Sequence, residues 1–407
     1  MMTSGFTGRL SFGSLPSGTP SRKRIIRQQS KTEYSIEDLT PIGFCATLNN
    51  GVGMIKAKKY KEQYKFLKKE YDAVYKDIMV NGYDLRGPYT KKLEDRVKKI
   101  TGRKYVSATI SGTGAIWAAI YALDLFGKKV AVAGYNYDAC VSPFLAVCKP
   151  VFFDCDENML IDIDKIPTDC DALMLVNYNG NTVDYDRVRK KFKGKIISDC
   201  SQSLGTKYKG RQDGFFGDVS TFAFGGRKPI GTRGVTGAIA TDDKDIAHRI
   251  DCAINQGKPG ELKHIPVEML GFRGAGQDFQ CGLVTVGLKH INEWQKKREK
   301  IVKRVWAEVG HLPIRFIKSG EHCESSYYKI PIEIDDRDKF IKYMESNGCE
   351  ARHTYVTKWH KKFAKGIHLP ISERLSDRTC DLPVSPFFTK REVDKMIKLI
   401  KKYFNDQ

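Results

Sequence analysis

The sequence predicts an α/β fold. A large domain with a mostly parallel sheet covered by helices is followed by a smaller C-terminal α+β domain. Short apolar β runs alternate with helical stretches between residues 105 and 199, as in a sheet buried on both faces. A chain of 407 residues is long for one domain, and its 41% hydrophobic content supplies a sizeable core. Past an amphipathic stretch at 284–309, Tyr327-Tyr-Lys-Ile-Pro-Ile-Glu-Ile alternates as a strand of a second unit should. The expected organisation is a basic tail and linker over 1–58, partly disordered. A large domain over 59–305 and a small domain over 306–407 follow. No internal repeat is evident.

In order, Tyr60 opens a helical pattern, with aromatic and aliphatic residues recurring at three and four. Asn81-Gly-Tyr-Asp-Leu-Arg-Gly-Pro88 breaks it, and a second helix carries Leu93, Val97 and Ile100 on one face. Tyr105 to Ile110 reads as a strand, Ser111-Gly-Thr-Gly114 as a turn, and Ala115 to Leu123 as an apolar helix. Strands are expected at Lys129–Ala133, Val151–Asp154, Ala172–Val176 and Ile196–Asp199, with a helix over Asp184–Phe192. The 284–309 stretch reads as one long helix bridging the domains. Helices over Asp336–Asn347 and Lys390–Phe404 complete the small domain.

The formal net charge is +21. Arg9, Arg22, Lys23, Arg24, Arg27 and Lys31 face no acid in residues 1–31, leaving +15 on the rest. Such a field favours anionic ligands: a nucleotide diphosphate, a nucleic acid or an anionic surface. Lysines spread over solvated faces would give the same number. Residues 1–31 are rich in Ser, Gly and Arg and read as a disordered tail, with an organelle transit peptide or an anion-binding tail as alternatives. No run of about 18 apolar residues indicates a membrane span. The eleven Cys form no CxxC pair and no zinc-like spacing with His. Reduced thiols, a cytoplasmic location and no metal are expected.

The chemistry concentrates in residues 196–241. Ile196-Ile197 runs into Asp199, and Phe222-Ala-Phe-Gly-Gly-Arg-Lys228 places a Lys after two glycines on an apolar approach. Desolvation lowers a Lys pKa, and the neutral amine is the nucleophile. An acid at a strand end is the natural partner of a pyridinium nitrogen, so the pair suggests pyridoxal 5′-phosphate (PLP). A solvated Lys228 is the plain alternative. Ser111-Gly112-Thr113 runs from a strand into a helix N-terminus, where free N–H groups and the helix dipole suit phosphate. Ligands of parallel sheets sit at strand carboxyl ends. Ser111, Tyr137 and Asp199 all follow strand candidates and are expected to converge.

These residues resemble the DegT/StrS-type PLP-dependent sugar aminotransferases, which share the aspartate aminotransferase fold. The resemblance runs from about residue 60 to the C-terminus. It rests on Asn81 to Pro88 with Leu93-Glu94, Ser111-Gly-Thr113, Gly134-Tyr-Asn-Tyr137, and Asp199-Cys-Ser-Gln202 with Gly205. Phe222 to Lys228, Leu270-Gly-Phe-Arg-Gly and Leu382-Pro-Val-Ser-Pro-Phe-Phe-Thr389 complete the series. The resemblance implies that Lys228 holds PLP and then serves as acid and base, while Asp199 keeps the ring nitrogen protonated. It further implies that Tyr137 stacks on the ring, Gln202 bonds near the ring oxygen, and Gly112 and Thr113 supply phosphate donors. A Lys rather than the His of related dehydratases implies transamination.

Two departures touch the phosphate cup. Ala223 stands where the family has a Ser, and Arg273 where it has an Asn supplied by the neighbouring subunit. An Arg pairs bidentately with phosphate, so Arg273 is a candidate replacement. The family's Arg two residues later is Ala275. Arg227, Arg233 and Arg352 are further candidates for a nucleotide diphosphate. The implied protein is a homodimer with shared sites. It takes a nucleotide-linked keto-deoxy sugar and an amino-acid donor, glutamate. Another anionic substrate of a PLP enzyme, such as a nucleotide or nucleic-acid base, is the second expectation, and a non-catalytic binding protein of degenerate fold the third.

Overall fold

The computed structural model describes residues 53–406 except Arg227, Thr232, 261–264 and Tyr355. The tail over 1–31 and most of the linker lie outside the described residues, which belong to one compact unit. A seven-stranded sheet forms its centre. Its strands are β1 (Tyr105–Thr109), β2 (Lys129–Ala133), β3 (Lys149–Phe153), β4 (Ala172–Val176), β5 (Lys195–Asp199), β8 (Val219–Ala223) and β9 (Gly237–Thr241). Between β5 and β8 a short hairpin, β6 (Lys207–Tyr208) and β7 (Arg211–Gln212), pairs with β11 (Cys323–Glu324). The large sheet runs β1-β9-β8-β5-β4-β2-β3. The ladders from β8 to β3 are parallel, and those joining β1, β9 and β8 are antiparallel. All five residues of β4 are buried, as expected for a strand covered on both faces.

A second sheet, β10 (Arg315–Phe316), β12 (Ile330–Glu333), β14 (Thr379–Leu382) and β13 (Arg352–His353), is antiparallel. Its core joins Ile330, Ile332 and Leu382 to Met396 and Ile400 of the C-terminal helix Lys390–Asn405. That helix starts on a capping box between Thr389 and Glu392, which satisfies N–H groups the first turn leaves open.

The structure differs from the expected elements in three places. The 284–309 stretch is two helices, Asp278–Leu288 and Ile291–Val309. Val284, Val286 and Leu288 pack with Leu93 and Val97. The second helix leaves that cluster at Trp294 and enters the other at Val302, Val305 and Val309. The chain turns at Lys289-His290 because the two apolar faces serve different cores. The expected boundary at 305 falls inside the second helix. The strand expected from Tyr327 begins only at Ile330, because Tyr327 has φ of 50°, outside extended backbone. Finally, the last linker residues are packed. Ile55 is buried, pairs with Cys349 and exchanges backbone bonds with Gly348 and Glu350.

The helix Pro88–Thr101 begins with Pro at its first turn. Buried Asp278 caps it, accepting from the N–H groups of Gly87, Tyr89 and Thr90 at 2.6, 2.6 and 3.0 Å. A Cβ on Gly87 would stand 2.6 Å from that carboxylate, which explains the glycine.

Candidate active site

A cavity of about 260 Å³ opens at the carboxyl ends of the central strands. Lys228, Tyr137 and Gln202 line it. Asp199, Gly112 and Thr113 are outside that lining, and Asp199 sits deeper, only 5% exposed. Lys228 follows β8 in a tight turn whose N–H donates to the carbonyl of Gly225. Its amine is recessed and lies 5.6 Å from the centre of the Tyr137 ring. Burial lowers its pKa below the usual lysine value, a shift opposed by the negative charge of Asp199 and the nearby Cys140 thiol and reinforced by Lys329. Asp199 and Lys228 thus share one electrostatic environment, as their motifs suggest.

Asp199 ends β5, between β4 and β8. Its Oδ1 accepts from the Ser201 N–H at 3.0 Å, from the Ser201 hydroxyl, and from Thr221 Oγ1 at 3.2 Å. Its Oδ2 accepts from Cys140 Sγ at 3.0 Å. Proximity to Asp199 in turn helps burial push the Cys140 thiol well up. Tyr137 is 47% exposed, its ring face open to the cavity side where Lys228 lies. Gln202 is buried, and its Oε1 accepts from the Asn179 N–H at 3.1 Å.

Ser111 caps the helix Gly112–Ala122, its Oγ accepting from the Gly114 N–H at 2.9 Å. The N–H groups of Gly112 and Thr113 belong to the first turn, which has no intrahelical acceptor for them. Ala223 closes against this turn: a Cβ on Gly112 would lie 2.5 Å from the Ala223 Cβ. The structure therefore joins the two halves of the expected phosphate cup and shows why position 112 is glycine. Gly112→Ala is expected to destabilise the protein by about 1–3 kcal/mol through overpacking. Thermal melting of the apo form checks this, and an unchanged midpoint would contradict the close approach.

The expected residues do not all converge. Arg273 is exposed and outside the lining of the cavity in its own chain. Its segment runs beside the end of β1, where Ile110 donates to the Gly274 carbonyl at 2.8 Å. Arg233 lies over the Tyr60 ring at 4.1 Å and lines a neighbouring cavity. Arg352 lines the Lys228 cavity, ion-paired to Glu350. Arg227 is outside the described residues.

The structure adds residues that the sequence did not single out. Tyr178 lines the cavity, buried, with no described hydrogen-bond partner for its Oη. It follows β4, so the strand-end rule that selected Tyr137 and Asp199 would have found it. Arg298, Lys329 and Asp381 also line the cavity, from parts of the chain with no local signal. Elsewhere, His248, Cys252 and Glu268 bring potential ligand atoms within 4.8 Å of one another, although their sequence spacing had shown no Cys/His pattern. None of the three lines the Lys228 cavity.

The family model described as the DegT/DnrJ/EryC1/StrS aminotransferase family matches residues 66–401. The chain belongs to this family. It is a PLP-dependent transaminase of the sugar aminotransferase type. This aminotransferase is 24% identical over 350 residues to the dTDP-3-amino-3,6-dideoxy-alpha-D-galactopyranose transaminase of Aneurinibacillus thermoaerophilus, covering 82% of this chain and 95% of that one. It is 26% identical over 345 residues to the 3-oxo-glucose-6-phosphate:glutamate aminotransferase of Bacillus subtilis, covering 79% and 77%. Its fold matches the crystal structure of S. venezuelae DesV with a TM-score of 0.82 at 22% identity, covering 86% of this chain and 98% of that one.

The residues present fit PLP. A recessed amine and an aromatic face line the cavity, a strand-end carboxylate held by donors sits deeper, beyond its lining, and a helix N-terminus packs against Ala223 at the end of β8, the strand that Lys228 follows. The buried Tyr178 hydroxyl adds an unused donor at its wall.

Proposed function

We propose that this aminotransferase moves the amino group of glutamate to the ketone carbon of a deoxy sugar carried on a nucleoside diphosphate, in the cytoplasm. The recessed Lys228 amine facing Tyr137 carries this reading. The matched relatives support the sugar class and, in one case, the donor. Ten described cysteines are free, in keeping with a reducing compartment. Among the described residues no helix is long and apolar enough to cross a membrane.

The bound cofactor supplies an electron sink that acidifies the C–H bond beside the reacting nitrogen. The chain's own residues do the rest. Lys228 would hold the cofactor through its Nζ, and the same amine would serve as the acid and base that takes and returns a proton. Asp199 presents a negative charge to the ring nitrogen. Tyr137 would cover one ring face, Gln202 would bond near the ring oxygen, and Gly112 and Thr113 would offer N–H groups to the phosphate. An amine-transfer screen over nucleotide keto-sugars, with glutamate as donor, tests the reading. Transfer to at least one nucleotide keto-sugar is expected. Transfer only to a free 3-keto-hexose 6-phosphate, or to no sugar, would reject the proposed acceptor.

Arg273 is exposed on its own chain, and we assign it to the cofactor phosphate of a second copy in an isologous homodimer. It would replace the donor lost at Ala223. A charge-assisted contact of about 1.5–3 kcal/mol corresponds to roughly 10- to 150-fold in affinity. Arg273→Ala is expected to weaken PLP binding by that factor, read by titrating the apo-protein. Unchanged PLP affinity with a raised KM for the sugar would place Arg273 on the substrate instead. A fully active monomer in light scattering would end the assignment.

A further inference from the structure

Three cations lining the Lys228 cavity are ion-paired. Lys59 pairs with Glu392, Lys329 with Asp381 at 2.6 Å, and Arg352 with Glu350. Arg298 also lines the cavity and is 3% exposed, yet it has no carboxylate partner among the described residues. It projects from the helix Ile291–Val309. Its Nε donates to the Ser326 carbonyl and its Nη1 to the Pro229 carbonyl, both at a long 3.4 Å. Its Nη2 is buried without a described partner. Burial pushes its pKa down to about 10, opposed only by Tyr328.

A guanidinium has five N–H donors in a rigid fork and stays ionised in proteins. Burying it with neither counter-ion nor a full set of acceptors is costly. A ligand that brings two oxygens and a negative charge relieves that cost at the moment of binding.

We propose that Arg298 is the anion subsite of this cavity and takes a carboxylate of the amino donor. The inference rests on the transaminase reading above. Position favours the donor's carboxylate over the sugar's diphosphate. Arg298 holds the carbonyl of Pro229, the residue directly after Lys228. An amino acid carries its α-carboxylate on the same carbon as the reacting nitrogen, so its anion must lie near the Lys228 region. A nucleoside diphosphate is separated from a ring ketone by the sugar itself and lies farther out. The fork geometry suits a carboxylate bidentately.

Glutarate, a dicarboxylate without an amine, is the probe. It is titrated into the PLP-loaded full-length protein and followed through visible absorbance, in parallel with UDP as the diphosphate. Arg298→Gln is expected to weaken glutarate by roughly 10- to 150-fold, the range of a charge-assisted bond. Arg298→Lys, which keeps charge but loses the fork, should fall between. UDP affinity should stay within about twofold. Secondary structure and bound PLP are measured on each variant. If the Gln variant does not fold, wild-type protein still decides: glutarate must bind at least tenfold tighter than its diamide, and UDP must not displace it. Glutarate that does not bind, affinities unchanged in both variants, or loss of UDP in place of glutarate would each overturn the assignment. Unchanged affinities would leave Arg298 as a staple between Ser326 and Pro229. The proposed function is tested separately by whether glutamate converts the cofactor absorbance of the wild-type protein. A silent wild type there rejects the function without touching the glutarate result.

Discussion

Lys228→Ala is expected to lower amino transfer by at least about 10²- to 10⁴-fold, the range for loss of a positioned acid–base group. The loss of covalent attachment adds to this. Borohydride reduction of wild-type protein should fix the cofactor on the peptide containing Lys228, and the variant should give no label. A label on another lysine would remove Lys228 from its role. The burial that lowers the pKa of this amine also sets the pH dependence. Attachment of PLP to apo-protein should rise with pH as the amine loses its proton, with a midpoint below the usual value of about 10.4. The sign for stability is the same. Between the lowered folded value and the unfolded one, the unfolded chain binds more protons, so apo-protein stability rises with pH through that window. Lys228→Met should flatten the rise.

Asp199→Asn is expected to produce a second large loss, because it leaves the shape and removes the charge. The Asp199 oxygens accept from Ser201, Thr221 and Cys140. An amide NH₂ there faces donors, and an unsatisfied buried group costs about 1–3 kcal/mol of stability. Turnover should fall further than stability, because a neutral amide cannot hold a proton on the ring nitrogen. A decrease of about 10²-fold or more in kcat is expected, comparable with other charge-assisted active-site groups. A third readout separates this from simple damage. Asp199 raises the Lys228 pKa, so its neutralisation should move the pH midpoint of PLP attachment downward. A variant with full turnover, or with the midpoint moved upward, contradicts the assigned geometry.

Much of the central sheet was legible without coordinates. The runs at 129–133, 172–176 and 196–199 are strands within a residue of their expected ends. A parallel strand covered by helices must be apolar along its whole length, so its signature is local. The same holds for Lys228, Asp199 and Gly112, where a special residue sits in a short motif at a strand or helix end. Family resemblance, however, rather than spacing, supplied the roles of Gln202 and Arg273.

Only the tertiary structure decided what reaches the cavity from far along the chain. Residues 57 and 58 line it although they read as linker, because Ile55 pairs beside Cys349 and brings them there. The break at Lys289-His290 was hidden because both flanking segments keep helical periodicity. Arg298 was hidden most fully. In Gln295-Lys-Lys-Arg-Glu-Lys it reads as one of several solvated charges, and helical periodicity cannot tell one cation from its neighbours. Burial against Pro229 and Ser326 is a contact between segments about 28 and 69 residues away, and that contact alone turns a surface-like arginine into a buried, unpaired charge.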